Sequence, residues 1–180
     1  MTARVRVYIA TSLDGFIAGV DDSLDWLPNP SPDTVLPEGV LGFDAFMKDV
    51  GAMLMGRRTY DAVRRLSAEW FYGETPVLVA TRRPLEPAVP TVRAIAGDID
   101  AMLDEALRVA DGRDVYVDGG ATIRAALDAG RVDDLVITVV PIVLGAGVSL
   151  FAGASRRHPM EIVSHRDYGS GMVQLHLRPR

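Results

Sequence analysis

Val115-Tyr116-Val117-Asp118-Gly119-Gly120-Ala121-Thr122 is the most informative stretch of the sequence. Val115 to Val117 form a short apolar run of β-branched and aromatic residues, which predicts a buried strand. The paired glycines that follow predict a sharp turn, and Ala121 to Ala129 have helical spacing until Gly130 ends them. A buried strand that leads through glycine into a helix is typical of an α/β sheet protein.

The same pattern occurs upstream, where a predicted strand at Ala52–Met55 leads through Gly56 into a predicted helix at Thr59–Leu66. Other apolar segments bounded by Gly or Pro predict further elements. We expect strands at Val5–Ala10, Pro76–Ala80, Thr91–Ile95 and Leu135–Val140, and helices at Phe43–Val50, ended by Gly51, and at Ile99–Ala110.

Near the C-terminus, Gly169-Ser170-Gly171 separates two apolar segments, Met160–His165 and Met172–Leu177. This arrangement predicts an antiparallel hairpin. Because strands first alternate with helices and then follow one another, the predicted fold class is α/β. We expect a single domain over residues 1–180, with a mixed, mostly parallel central sheet, about four flanking helices and the C-terminal hairpin.

Composition excludes several functional classes. The 180 residues include 19 basic and 24 acidic side chains, a net charge of −5, which argues against a nucleic-acid partner. The chain has no Cys, and its three His form no close pair, so we expect no metal site. No apolar leader follows Met1 and the apolar stretches suit a buried core, so we expect a cytoplasmic protein without a membrane partner.

Three predicted strands end in groups that suit phosphate. Free amides at a helix N-terminus bind anions, and the arginine fork bonds two phosphate oxygens at once. The segments are Gly56-Arg57-Arg58-Thr59, Thr81-Arg82-Arg83 and Gly119-Gly120-Ala121-Thr122. Each segment alone also fits an ordinary turn or a charged loop. The three together predict a ligand with several phosphates, bound where strand ends meet.

Candidate acid–base groups are carboxylates early in the chain. Asp14 lies in a turn directly after the first predicted strand, and Asp44 lies in the first turn of a predicted helix. Asp25 and Glu38 are further candidates. Asp25 precedes a proline-rich loop from Trp26 to Gly39, Glu38 lies within it, and the length of this loop suggests a functional role. Each of these carboxylates also fits a turn-forming or helix-start role.

These motifs, in their order along the chain, resemble those of the dihydrofolate-reductase-like superfamily. They resemble most closely the C-terminal reductase domain of the bifunctional riboflavin-biosynthesis deaminase–reductase. The matching segments cover almost the whole chain: Thr11–Ala18, Leu24–Leu27, Phe43–Phe46, Met55–Tyr60, Val79–Arg82, Val117–Gly120 and Pro141–Gly147.

The resemblance implies an NADPH-binding reductase. By this resemblance, Thr81 and Arg82 surround the adenosine 2′-phosphate, and the Pro-rich loop borders the substrate. Ser12, Asp14 and Ile17 are implied to lie near the nicotinamide. The remaining phosphate-binding residues implied by the family are Gly56, Arg57, Arg58, Thr59, Gly119, Gly120, Ala121 and Thr122.

The function expected from this resemblance is NADPH-dependent reduction of a small heterocyclic substrate. Its most specific form is that of a 5-amino-6-(5-phosphoribosylamino)uracil reductase, with Asp14 or Asp44 on the proton path. The Cys-containing motif of the fused zinc deaminase is missing, so we expect the reductase domain alone. Alternatives are a dihydrofolate- or pterin-type reductase and a non-catalytic NADP(H)-binding module.

We also expect a homodimer, because apolar residues are concentrated around Val139 to Val143.

Overall fold

The computed structural model describes residues 2–28 and 35–180. Ten strands occur in these residues: β1 Val5–Ser12, β2 Phe16–Ala18, β3 Val50–Gly56, β4 Val77–Ala80, β5 Val92–Ile95, β6 Asp114–Asp118, β7 Asp134–Val140, β8 Val148–Ser149, β9 Met160–Gly169 and β10 Met172–Pro179. The helices are α1 Phe43–Met47, α2 Arg57–Leu66, α3 Ile99–Ala110 and α4 Gly120–Asp128.

Eight strands form one sheet in the order β5-β4-β3-β6-β1-β7-β10-β9, and β2 pairs with β8 in a separate ribbon. The strands from β5 to β7 are parallel, whereas β10 runs antiparallel to both β7 and β9. This arrangement confirms the predicted fold class. The carboxyl ends of β1, β3, β4 and β6 therefore meet at one edge, where open α/β sheets bind ligands.

The two faces of the sheet carry separate apolar cores, as period-two alternation requires. On one face Leu54 and Val117 pack with residues of α3 and α4. On the other face Met53, Met55 and Tyr116 pack around the fully buried Phe46 of α1. The central strands thus contribute to both cores, which explains their continuous apolar sequences.

One predicted boundary was wrong. The helix expected at Phe43–Val50 ends at Met47, and Gly51 lies inside β3 rather than after a helix. A Cβ atom at Gly51 would overlap the carbonyl oxygen of Ala110, because β3 passes directly against the end of α3. Glycine is therefore required here for close backbone approach and not as a helix stop.

At the amino ends of the parallel strands, a buried ion-pair cluster joins β1, β6 and β7. The Arg6 guanidinium contacts Asp134 at 3.1 Å and Asp114 at 3.2 Å, and all three residues are buried. Removing one partner would leave an uncompensated buried charge. The cluster lies at the edge of the sheet opposite the ligand-binding edge.

No helix in the described residues is long and apolar enough to cross a bilayer.

Candidate functional site

A cleft of about 660 Å³ opens at the carboxyl ends of β1, β3 and β6. The N-termini of α2 and α4 form one wall, and aromatic side chains from β1, α1 and β6 form another. Ile17 of β2 and residues Leu24 and Leu27 of the following loop cover the cleft. This size and this mixture of apolar walls with a few polar groups suit a small organic ligand.

The wall formed by α2 and α4 is built around two glycines. Gly56 and Gly119 are the N-cap residues of these helices, and neither provides a side-chain cap. The first amides of both helices are therefore free to bind an anion. Gly119 has a φ of 90°, and a Cβ atom there would overlap the Thr59 hydroxyl oxygen. The backbone approach between α2 and α4 thus depends on glycine at position 119.

The remaining residues predicted for this wall are brought together as well. Gly120, Ala121 and Thr122 follow Gly119 in the first turn of α4 and line the cleft with Gly56, Arg57, Arg58 and Thr59. The side chain of Thr122 is buried, and a Cβ atom at Gly56 would lie 3.1 Å from its hydroxyl oxygen.

The three cations that line the cleft already have partners in the protein. Arg57 donates to Asp61 and to the carbonyl of Pro84, both at 2.8 Å. Arg58 donates to the Asp22 carboxylate at 2.5 Å and is otherwise exposed. Arg124 donates at 2.8 Å to the carbonyl of Ser149. Asp22 of the loop after β2 would therefore compete with a phosphate for Arg58.

Thr81 and Arg82 lie outside this cleft. They line a shallow neighbouring groove of about 630 Å³ at the carboxyl ends of β4 and β5, together with Arg83, Pro84 and Arg93. Arg57 bridges the two sites, since it lines the cleft and bonds to Pro84. A long ligand with phosphates at both places would cross Arg57.

The other half of the cleft is aromatic. The ring of Phe43 lies 5.8 Å from that of Tyr8 and 6.4 Å from that of Tyr72. Tyr116 completes this wall, and its hydroxyl donates to the carbonyl of Tyr8 at 2.8 Å. Aromatic groups at these separations provide flat apolar surfaces for a planar ligand.

Asp118 is the carboxyl group of this aromatic half. It ends β6, lines the cleft, and accepts a hydrogen bond from the amide of Gly119 at 2.7 Å. Burial beside Tyr72 and Tyr116 raises the pKa of Asp118 to about 6, although the hydrogen bond from the Gly119 amide acts in the opposite direction. A carboxyl with this pKa exchanges protons near neutral pH.

Asp14 and Ser12 lie beside the cleft and do not line it. The Ser12 hydroxyl donates to the Asp14 carboxylate at 2.6 Å and accepts from the amide of Phe16. Asp14 also accepts from the amides of Leu144 and Gly145, and these hydrogen bonds lower its pKa, that from Ser12 contributing most. The Asp14 carboxylate therefore connects the turn after β1 to the loop before β8.

Asp44 is an exposed residue in the first turn of α1 and lies next to Phe43, which does line the cleft. Part of the proline-rich loop, residues 29–34, lies outside the described residues, so its proposed border with the substrate stays a prediction.

In the parts of the chain that the structure describes, no group of three or more His, Asp or Glu side chains could hold a metal ion.

Sequence reasoning missed Asp118 and the tyrosines around it. Asp118 appears in the sequence as part of a glycine turn, and Tyr8 and Tyr116 appear as strand residues. Asp118 could have been identified by its position at the end of a predicted strand. The same criterion selected Thr81 and Arg82. Tyr72 lies between predicted elements, and no local pattern places it opposite Phe43.

Comparisons with known proteins agree with this architecture. The model of the RibD C-terminal domain family matches residues 3–174. The uncharacterized protein YwjB of Bacillus subtilis (strain 168) is 31% identical over 177 residues, which cover 98% of each protein. The crystal structure of a putative riboflavin biosynthesis protein from Shewanella sp. PV-4 has a TM-score of 0.84 and 32% identity, over 98% of this chain and 99% of that one.

A more distant likeness concerns the fold alone. Dihydrofolate reductase from Enterococcus faecalis, solved in complex with NADP(H) and RAB-propyl, has a TM-score of 0.63 at 16% identity, over 98% of this chain and 96% of that one. The structural framework found here is thus shared with a reductase that binds NADP(H).

Proposed function

This chain belongs to the RibD C-terminal domain family, and we propose that it is an NADPH-dependent reductase of a small heterocyclic substrate. The observation that carries the proposal is the pair of uncapped helix N-termini at Gly56 and Gly119, which face one cleft beside the half-buried carboxyl group of Asp118.

The residues present fit a dinucleotide phosphate. Glycine at position 119 lets the N-termini of α2 and α4 lie close together, and the free amides of both helices would hold the pyrophosphate. Thr81 and Arg82, in the neighbouring groove, would hold the 2′-phosphate that distinguishes NADPH from NADH. When bound, the cofactor supplies a hydride to the acceptor.

The protein's own part is to position the acceptor and move a proton. Tyr8, Phe43 and Tyr72 would hold a planar acceptor by its faces, and Ile17 would exclude water from above. Asp118 would provide the proton at its carboxyl oxygen, because its pKa of about 6 keeps a usable protonated fraction near neutral pH. Asp14 and Asp44 remain the carboxylates predicted from the sequence for the same role.

The experiment is a titration of NADPH followed by a search for turnover. We expect saturable binding of NADPH, and oxidation of NADPH with at least one acceptor from a panel of pyrimidines, pterins and quinones. Binding without oxidation of NADPH by any acceptor would instead support a non-catalytic binding module. Absence of NADPH binding would reject the proposal altogether.

The finer predictions belong to this proposal. Reduction of the phosphoribosylamino-pyrimidine of riboflavin synthesis is the most specific form, and a pterin-type substrate is its alternative. The single reductase domain over residues 1–180, the cytoplasmic location and the homodimer stay predictions. Exposed apolar residues near the C-terminal strands, including Ile162, Val163 and Val173, support the dimer.

A further inference from the structure

The segment that forms the aromatic half of the cleft contains no basic residue. From Val7 to Met47 the sequence has no Lys, Arg or His. Residues 29–34, Asn-Pro-Ser-Pro-Asp-Thr, contain none either. The same segment contains seven carboxylates: Asp14, Asp21, Asp22, Asp25, Asp33, Glu38 and Asp44.

This segment provides much of the surface that a substrate would meet. Tyr8, Ile17, Leu24, Leu27 and Phe43 all line the cleft. Beyond this segment, the aromatic half is completed by Tyr72, Tyr116 and Asp118. Among residues 2–28 and 35–180, the aromatic half is therefore lined by apolar and aromatic groups and by a carboxyl, without a cation.

The cations of the cleft belong to its other half. Arg57 and Arg58 are the first residues of α2, and Arg124 lies in α4, next to the glycines at the two helix N-termini. The Arg124 guanidinium donates hydrogen bonds to the carbonyls of Ser149 and Leu150. A cofactor with its phosphates at these helix ends would occupy the positive half of the cleft.

Arg166 is a cation that lies outside the cleft. Arg166 of β9 lies against Gly39 and lines a separate cavity of about 60 Å³ with Gln174 and His176. Its guanidinium donates to the carbonyl of His165. It does not line the cleft that contains Asp118.

We infer that the substrate is a planar nitrogen heterocycle, neutral or cationic, that carries no phosphate group. This inference rests on the proposed function and narrows it. A phosphate ester carries a charge of about −1.5 to −2 at neutral pH and is normally bound by arginine or by free amides. In the aromatic half it would meet no arginine, and the free amides next to Asp118 would already hold the pyrophosphate of the cofactor. It would also approach the Asp118 carboxylate with the same sign of charge.

The aromatic half of the cleft also offers groups that would bind a nitrogen heterocycle directly. Asp118 uses one oxygen to accept from the Gly119 amide, and its carboxylate retains capacity to accept N–H donors from a ring. The rings of Tyr8, Phe43 and Tyr72 provide stacking or edge contacts for the same ring. A heterocycle with ring or exocyclic N–H groups satisfies both requirements, whereas a phosphate group attached to it satisfies neither.

The inference departs from the most specific expectation raised by the family resemblance, a phosphoribosylamino-pyrimidine. Its test is binding of matched pairs that differ only in a phosphate, measured by calorimetry with the holoprotein saturated with NADP+, which has no hydride to transfer during the titration. The pairs are riboflavin and its 5′-phosphate, ribitylamino-pyrimidine and its 5′-phosphate, and neopterin and its phosphate. We expect at least one unphosphorylated member to bind, and to bind at least tenfold more tightly than its phosphorylated partner.

The outcomes separate this inference from the proposed function. If NADPH saturates the protein but a phosphorylated member binds as well as its partner or better, the inference is wrong and the reductase proposal stands. Binding of no unphosphorylated member also overturns it. If NADPH itself does not bind, the proposed function fails and the inference falls with it.

A pair of variants checks the role of Asp118 in this recognition. Asp118→Asn should weaken binding of the preferred heterocycle at least tenfold while NADPH affinity changes by no more than a few-fold. Asp111→Asn is the matched control, because Asp111 is an exposed residue at the far end of α3 and the same charge is removed there. Equal heterocycle affinity in Asp118→Asn and Asp111→Asn would contradict the inference.

Discussion

The hydroxyl oxygen of Thr59 occupies the space in which a Cβ atom of residue 119 would have to lie. Thr59 belongs to the first turn of α2 and Gly119 is the N-cap of α4, so this contact fixes the distance between the two helix N-termini. The proposed pyrophosphate site is therefore formed by contact between two helices that are far apart in sequence.

Gly119→Ala should destabilise the protein and abolish NADPH binding. The positive φ and the overlap with Thr59 together should lower the free energy of unfolding by about 2–4 kcal/mol. Denaturant unfolding and a fluorescence titration of NADPH measure the two effects.

Two further variants separate the backbone strain of a positive φ from the steric overlap with Thr59. Gly112→Ala also places a side chain at positive φ, but nothing lies within 4 Å of its Cβ position, so it should show the strain alone. The double variant Thr59→Ala, Gly119→Ala should recover part of the lost stability. No recovery in the double variant would show that the Thr59 contact does not limit residue 119.

Arg82→Ala should reduce the preference for NADPH over NADH. A charged hydrogen bond to the 2′-phosphate contributes about 1.5–3 kcal/mol, which corresponds to roughly tenfold or more in affinity. We expect wild type to bind NADPH more tightly than NADH, and Arg82→Ala to lose affinity for NADPH only. Arg108→Ala, an exposed arginine on α3, is the control. Equal affinities of the two cofactors for wild type would exclude the assignment of Thr81 and Arg82.

Asp14→Asn tests the carboxylate predicted from the sequence for the proton path. That prediction expects a loss of kcat of about 10²–10⁴-fold, with NADPH affinity within a few-fold of wild type. The hydrogen bonds from Leu144 and Gly145 suggest a different origin for any loss, because an amide can accept only at its oxygen. A loss of kcat that is accompanied by a lower Tm would indicate a loop-positioning role, whereas a loss at unchanged Tm would support proton transfer.

The sequence was sufficient to locate the strands of the main sheet, although not to order them, because each central strand is a continuous apolar run that a glycine or a charged residue ends. Ile99–Ala110 was predicted at its observed boundaries, since Asp98 caps its start and accepts from the amide of Ala101. The boundary at Gly51 was wrong because the reason for that glycine is a tertiary contact with Ala110. Local patterns do not contain such information.

The candidate site was accessible from the sequence in one half only. Helix N-termini and strand-end arginines are local features, so the phosphate-binding half could be predicted. The aromatic half depends on Tyr8, Phe43, Tyr72 and Tyr116, which come from four separate segments that only the sheet topology brings together. Asp118 acquires its functional character from those neighbours, since burial among them is what raises its pKa.

We expect a homodimer with a mass of about 39 kDa, twice the chain mass of 19.4 kDa. Of the residues that first suggested it, Val140 is buried in the fold, whereas Ile142 and Val143 are exposed. Ile162 on the edge strand β9 is 60% exposed, and an open apolar edge strand favours pairing with another chain. Light scattering should give the dimer mass for wild type and the monomer mass for Ile162→Glu. A wild-type mass near 19 kDa at all micromolar concentrations would reject the dimer.

Asp118→Asn should stabilise the protein above pH 6 and impair its activity. The folded state raises the pKa of Asp118 from 3.8 to about 6, so it binds this proton more tightly than the unfolded chain does. The contribution of Asp118 to stability should therefore fall as the pH rises from about 4 to about 6, by at most about 3 kcal/mol, and stay constant above that range. The neutral amide avoids this loss and retains an oxygen that accepts from Gly119.

The free energy of unfolding, measured from pH 3.5 to pH 8, distinguishes this effect from ordinary surface substitution. We expect the two proteins to have similar stability below pH 4 and the Asn variant to be more stable above pH 6, while Asp111→Asn follows wild type throughout. The burial of Tyr8, Tyr72 and Tyr116 raises their pKa values, so these hydroxyls stay neutral over the range and add no charge of their own. A stability gain that did not depend on pH would mean that ionisation of Asp118 is not its cause. A pH-dependent gain in stability combined with a loss of kcat would show that the carboxyl group of Asp118 is retained for catalysis at the expense of stability.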